Sequence, residues 1–140
     1  MEVSAARPKL VSFRTLSFTG ENRRPASGNS ASPFALTHYI EVGLAVPNVA
    51  GGILQAVVKI DLKAVARSED DGALPASFHS EFEARFDYPA GVNDALVLPK
   101  FEAELYQYVL VAQAFPLAMT HFGRELQSMG FDARDLPLGL

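Results

Sequence analysis

The chain has 140 residues, 49% of them hydrophobic, and a net charge of −4 from 12 lysines and arginines against 16 aspartates and glutamates. That is enough apolar material for one domain, 1–140, with a core of its own. The acidic balance argues against a nucleic-acid partner, and without cysteine there is no thiol catalysis, disulfide or thiolate metal site.

Taken from the N-terminus, "KLVSFRTLSF" (9–18) alternates. Leu10, Ser12, Arg14, Leu16 and Phe18 are expected on one face of a strand and Val11, Phe13, Thr15 and Ser17 on the other. The turn-rich "TGENRRPASGNSAS" (19–32) reads as a polar loop. "FALTHYIEVGLAV" (34–46) alternates again, with Phe34, Leu36, His38, Ile40, Val42, Leu44 and Val46 on one side, and "PNVAGG" supplies a turn. "ILQAVVKIDLKAVA" (53–66) sets Leu54, Ala56, Val58, Ile60, Leu62 and Ala64 against Gln55, Lys59, Asp61 and Lys63. After the polar "RSEDDGALP", "SFHSEFEARFDY" (77–88) turns Phe78, Phe82, Phe86 and Tyr88 inward and His79, Glu81, Glu83, Arg85 and Asp87 outward. Four period-two segments with short connections predict an antiparallel sheet covered on one face.

Beyond "PAGVNDALVLP" the period becomes helical. Pro99 suits a first helical turn, and "KFEAELYQYVLVAQA" continues with good helix formers. Pro116 has no N–H to donate, so Phe115-Pro116 is expected to separate this helix from a second one. In the second, Phe115, Met119, Phe122, Leu126 and Met129 form one apolar stripe opposite Thr120, Arg124, Gln127 and Ser128, and Gly130 is placed as a left-handed cap. The predicted class is α+β, a four-stranded antiparallel sheet followed by two C-terminal helices packed on one face.

Chemistry is thinly supplied. His79, Glu81 and Glu83 alternate on one strand face, a pattern that could hold a metal but reads better as a solvated face with Arg85 as partner. His121 reads as a surface or interface residue, and His38 as a satisfied histidine on an apolar face. There is no Gly-x-Ser-x-Gly elbow and no phosphate-binding glycine loop. No enzyme activity, metal or cofactor is expected. The surplus lies in 10 phenylalanines and 4 tyrosines, with Phe34, Phe131, Leu136, Leu138 and Leu140 at positions a lone sheet exposes. Such a surplus lines an oligomer interface or a groove for extended apolar segments.

In its order of elements the chain resembles SecB, the bacterial export chaperone, from about Val11 to Leu138. The matching residues are "LSF" at Leu16–Phe18, "FP" at Phe115–Pro116 and the Gly130/Phe131 pair. The Cys-Pro-Asn typical of the family before Phe-Pro is absent. The resemblance implies an ATP-independent holdase that binds unfolded client polypeptides in apolar grooves of a homotetramer, a dimer of dimers. Its client groove would include Phe34, Ile40, Val42, Phe131 and Leu136. Its oligomer interface would use the long-helix stripe, Met119, Phe122, Leu126 and Met129. The family also docks a translocase ATPase through an acidic surface. Here Thr15 and Thr19 stand where carboxylates are expected, and only Glu81 keeps one, so export delivery is implied less strongly than chaperoning. A chaperone dedicated to one client, such as an antitoxin, is the near alternative. A non-enzymatic oligomer enclosing a small apolar ligand is the rival from another class. The N-terminus lacks the pattern of a secretory signal, and no apolar run approaches the roughly 20 residues that span a bilayer, so a cytoplasmic protein without membrane insertion is expected.

Overall fold

The computed structural model describes residues 7–23, 35–66 and 76–131. Four strands, β1 (Lys9–Asn22), β2 (Ala35–Ala45), β3 (Gln55–Ala66) and β4 (Ala76–Asp87), precede two helices, α1 (Asp94–Phe101) and α2 (Glu104–Ser128). The strands form one antiparallel sheet in the order β1-β4-β3-β2. The expected α+β class is therefore what the chain adopts.

Strict alternation places β2, β3 and β4 as expected. On β3 and β4, Ala56, Val58, Ile60, Leu62 and Ala64 pair with Phe86, Ala84, Phe82, Ser80 and Phe78, and all ten are buried under the helices. These two inner strands carry the core because each has neighbours on both sides and a helix above.

β1 departs from the expected pattern. Its register with β4 shifts between Leu10 and Ser12 and again between Thr15 and Ser17. Each bulge adds one unpaired residue and reverses the faces that follow it. Leu10, Phe13, Thr15 and Phe18 consequently share the helix side, opposite Phe86, Ala84, Phe82 and Ser80. Ser12, Arg14, Ser17 and Thr19 take the open side, and the bulged Val11 and Leu16 are exposed. Ser80 donates its hydroxyl to the Ser17 carbonyl at the second bulge, 2.9 Å away, so no buried hydroxyl is wasted there. The strand also continues to Asn22, into the stretch expected to be loop.

The helices divide elsewhere than expected. α1 begins at Asp94, where the Asn93 side chain accepts from the Leu96 amide at 3.0 Å, so Pro99 lies inside the helix. The joint falls at Glu102–Ala103, where the Gln107 side chain takes up the Phe101 carbonyl. Pro116 does not break the chain; α2 runs through it without interruption. Pro116 and Ala112, whose carbonyl loses its donor, both lie on the exposed side, where that carbonyl is not buried without a partner.

α2 buries Leu110, Val111, Ala114, Phe115, Ala118, Phe122, Gly123 and Leu126. Ala114, Ala118 and Gly123 carry little or no side chain, so the helix backbone can lie close on the sheet. Its end is fixed as expected. Gly130 has φ +94°, its amide donates to the Gln127 carbonyl and the Phe131 amide to the Leu126 carbonyl, 2.9 Å away. No helix among the described residues is long and apolar enough to cross a membrane.

Candidate functional site

α2 lies over β3, β4 and β1, crossing from its Phe115 contact with β2 toward the far end of β1, where the Asn22 side chain donates to the Met129 carbonyl at 2.6 Å. β2 is left as an edge that its own helix covers only in part. Leu36, Ile40, Val42 and Leu44 line its helix side, packed against the core yet half-buried. His38 lies in the same row, exposed, with its ring edge-on to Phe115. Leu36 and Leu44 thus join Ile40 and Val42 in one open apolar row along the 11-residue strand. Their alternation was legible; that the helix would leave them uncovered was not.

Phe34 and Leu136 lie outside the described residues. Phe131 is 5% exposed and packs edge-on against Phe78 of β4, centroids 5.4 Å apart. β3 lies between that contact and β2, and Phe131 belongs to the core. The α2 stripe needs a similar correction. Phe122 and Leu126 are fully buried within the chain, so they have no surface to offer a second copy, while Met119 and Met129 are half-buried. The intramolecular sheet supplies the cover that a partner was expected to supply.

The exposed apolar surface of α2 lies instead near its start. Leu105 is 78% exposed and Tyr108 58%, with Val109 beside them, at the three- and four-residue spacing of one helix face. Leu96 and Leu98 of α1 are exposed as well. The spacing in "ELYQYVLV" was the available signal, masked because the opposite face is apolar too. A recess of about 450 Å³, lined among others by Pro8, Pro99, Tyr106, Val109 and Leu110, opens beside this patch. Tyr106, which lines it, is hydrogen-bonded through its hydroxyl to that of Tyr88, and burial with that bond pushes the Tyr88 phenol well above its ordinary range.

The open face of the sheet carries a charged network centred on Glu83. Glu83 is only 4% exposed, although it lies on the side expected to be solvated. Its carboxylate accepts from Arg85 Nε at 3.0 Å and Arg14 Nε at 3.2 Å. Burial alone would raise its pKa; the Arg85 and Arg14 guanidiniums outweigh that and hold the carboxyl below its ordinary value. Arg85 continues to Gln55, and Gln55 to Asp87.

This clamp removes Glu83 from any grouping with His79. The sheet register places Asp61 opposite Glu81 and hydrogen-bonds it to His79, and these three side chains have ligand atoms within 4.8 Å of one another. Only the Asp61–His79 pair is bonded, and Glu81 stands beside it on the open face. Glu81, the expected translocase contact, is exposed there. Thr15 and Thr19 fall on opposite faces because the second bulge lies between them.

No family model matches the sequence, and no curated protein matches it. Among solved structures, the fold is similar to that of a SecB-like chaperone from Mycobacterium tuberculosis in complex with a ChAD peptide from the HigA1 antitoxin. The TM-score is 0.53 at 21% sequence identity, covering 99% of this chain and 93% of that chain. The likeness is one of fold over the full length.

Proposed function

We propose that this chain is an ATP-independent chaperone that holds extended apolar segments of non-native polypeptides along β2. The observation that carries the reading is the row Leu36, Ile40, Val42 and Leu44, half-buried beside α2 on an edge strand that pairs with β3 in unbroken register. Burial of apolar area, at about 25 cal/mol per Å², gives affinity without demanding one sequence. The fold shared with a chaperone solved on a peptide supports it. The function needs no catalytic group, metal or cofactor, and it belongs in the cytoplasm, where chains await folding or export.

The same comparison favours a second reading. The similar chaperone was solved with an antitoxin peptide, so service to one dedicated client stands beside general holding. Assembly as a homotetramer, a dimer of dimers, is part of the proposal. Its support is the exposed Leu105, Tyr108 and Val109 face of α2, which is too apolar to be left in water without purpose. Enclosure of a small ligand in the recess near Tyr106 has less support, because that recess opens onto the same patch.

The test is light scattering of a chemically denatured, unrelated protein diluted into buffer with and without this chain. Suppressed scattering at stoichiometric protein, without nucleotide, is expected of a general holdase. Unchanged scattering with tight binding of one antitoxin peptide would select the dedicated reading, and neither effect would sink both.

A further inference from the structure

The two edges of the sheet are built differently. β1 is interrupted by two bulges, a common device against unwanted pairing. β2 pairs with β3 in unbroken register from Ala35 to Ala45. Its sequence, ALTHYIEVGLA, has no proline, lysine or arginine, and Glu41 is its one acidic residue. At about 3.3 Å per residue it offers roughly 36 Å of straight backbone. An edge of this length and composition is an aggregation liability unless something occupies it.

We propose that the outer edge of β2 recognises its client's main chain by strand addition, an inference that rests on the chaperone reading above. An added strand would place alternate side chains over Ile40, Val42 and Leu44 and the others on the open face. On that open face Gly43 leaves a gap. A Cβ built there meets nothing within 4 Å, and a recess of about 340 Å³ lies against it, lined by Leu44, Val57, Lys59, Glu83 and Arg85 among others. An edge glycine of this kind is covered well by an aromatic side chain from the neighbouring strand. The occupant is therefore an extended client segment with apolar residues at alternate positions and an aromatic residue across from Gly43.

A second copy fits less well. In the antiparallel self-paired register that would set Tyr39 over Gly43, Glu41 falls opposite the partner's Glu41. Like charges directly opposed on one face disfavour that pairing, whereas a client is free to present a neutral or basic residue there.

The probe is a synthetic eleven-residue peptide alternating leucine and threonine, with one central threonine replaced by phenylalanine. Two further versions carry N-methyl groups on the amides of either the odd or the even residues. In an added strand only every second N–H points at the edge, so one methylated version should lose at least tenfold in affinity and the other should bind like the parent. Hydrogen exchange at alternate β2 amides should slow when the parent binds. Equal affinity of all three, or equal weakening of both methylated versions, would overturn strand addition while leaving a side-chain groove intact. Failure of the parent to bind would overturn the inference and the client reading together. Concentration-dependent protection of β2 amides without peptide would assign the edge to a second copy and also overturn it.

Discussion

His38 on β2 meets Phe115 on α2 edge-on, with ring centroids 5.8 Å apart and planes at 71°. From this contact α2 departs toward β1, where His121 lies 5.0 Å from the Phe13 ring. One oblique crossing therefore explains both the sealed core under β3 and β4 and the open row along β2. The same geometry separates substitutions that should unfold the protein from those that should change what it binds.

Phe122→Asp buries a charge where the chain itself leaves no exposure, so it should abolish cooperative folding, a loss of several kcal/mol. Leu105→Asp, at 78% exposure, should leave circular dichroism and melting temperature nearly unchanged and reduce the assembly's mass in sedimentation. A folded Phe122→Asp protein would contradict the core assignment. An unaltered mass for Leu105→Asp would place the oligomer interface elsewhere.

Gly130 holds the end of α2 at φ +94°, and an added Cβ there would make only an ordinary contact with Asn22. Gly130→Ala should therefore cost backbone strain alone, about 1 kcal/mol, lowering the melting temperature by roughly 2–6 °C. A stabilised variant in thermal melts would show that the left-handed cap is not retained.

Glu83 has a carboxyl held below its ordinary pKa of 4.5 by Arg85 and Arg14, against the opposing effect of burial. A carboxylate with a depressed folded pKa contributes stability above its unfolded pKa and loses that contribution as pH falls through the folded one. Glu83→Gln should thus be less stable than wild type at pH 7 by about 1–2 kcal/mol, since Arg14 is largely solvated. The gap should narrow below about pH 4.5 in denaturant melts. A constant gap from pH 7 to pH 3 would remove Glu83 from the electrostatic account.

Docking to a translocase ATPase is expected to be weak. Thr15 and Thr19 carry no charge and face opposite sides of the sheet, so β1 adds no acidic row beside Glu81 of β4. Calorimetry should show no tight association and no effect of Glu81→Ala. Tight binding that falls steeply with salt would restore an export role.

The expected faces of β2, β3 and β4 were legible because period-two alternation needs only local sequence. The bulges in β1 were not, since a bulge is defined by the strand opposite, and Ser17 meets its Ser80 partner from 63 residues away. Phe-Pro misled for a related reason. A proline ends a helix when the carbonyl it orphans is buried, and only packing reveals that Ala112 faces outward. Asn93 caps α1 ahead of "DALVLP", a signal that the reading of Pro99 as a first helical turn passed over. In the site, alternation put Ile40 and Val42 on one face, but their place in a client groove came only from the resemblance to SecB, and the core position of Phe131 follows from the cap that turns it onto Phe78.

The open row on β2 is tested most directly by Val42→Ser, which changes a half-buried side chain within the row. Light scattering of a refolding client and the melting temperature of the variant are measured on the same preparation, with Phe34→Ser and Ile40→Ser alongside. Expected for Val42→Ser is a clear loss of client protection with a destabilisation of no more than about 1–2 kcal/mol, and for Ile40→Ser a mixture of both effects. Full client protection by correctly assembled Val42→Ser and Phe34→Ser proteins would contradict a client surface on β2.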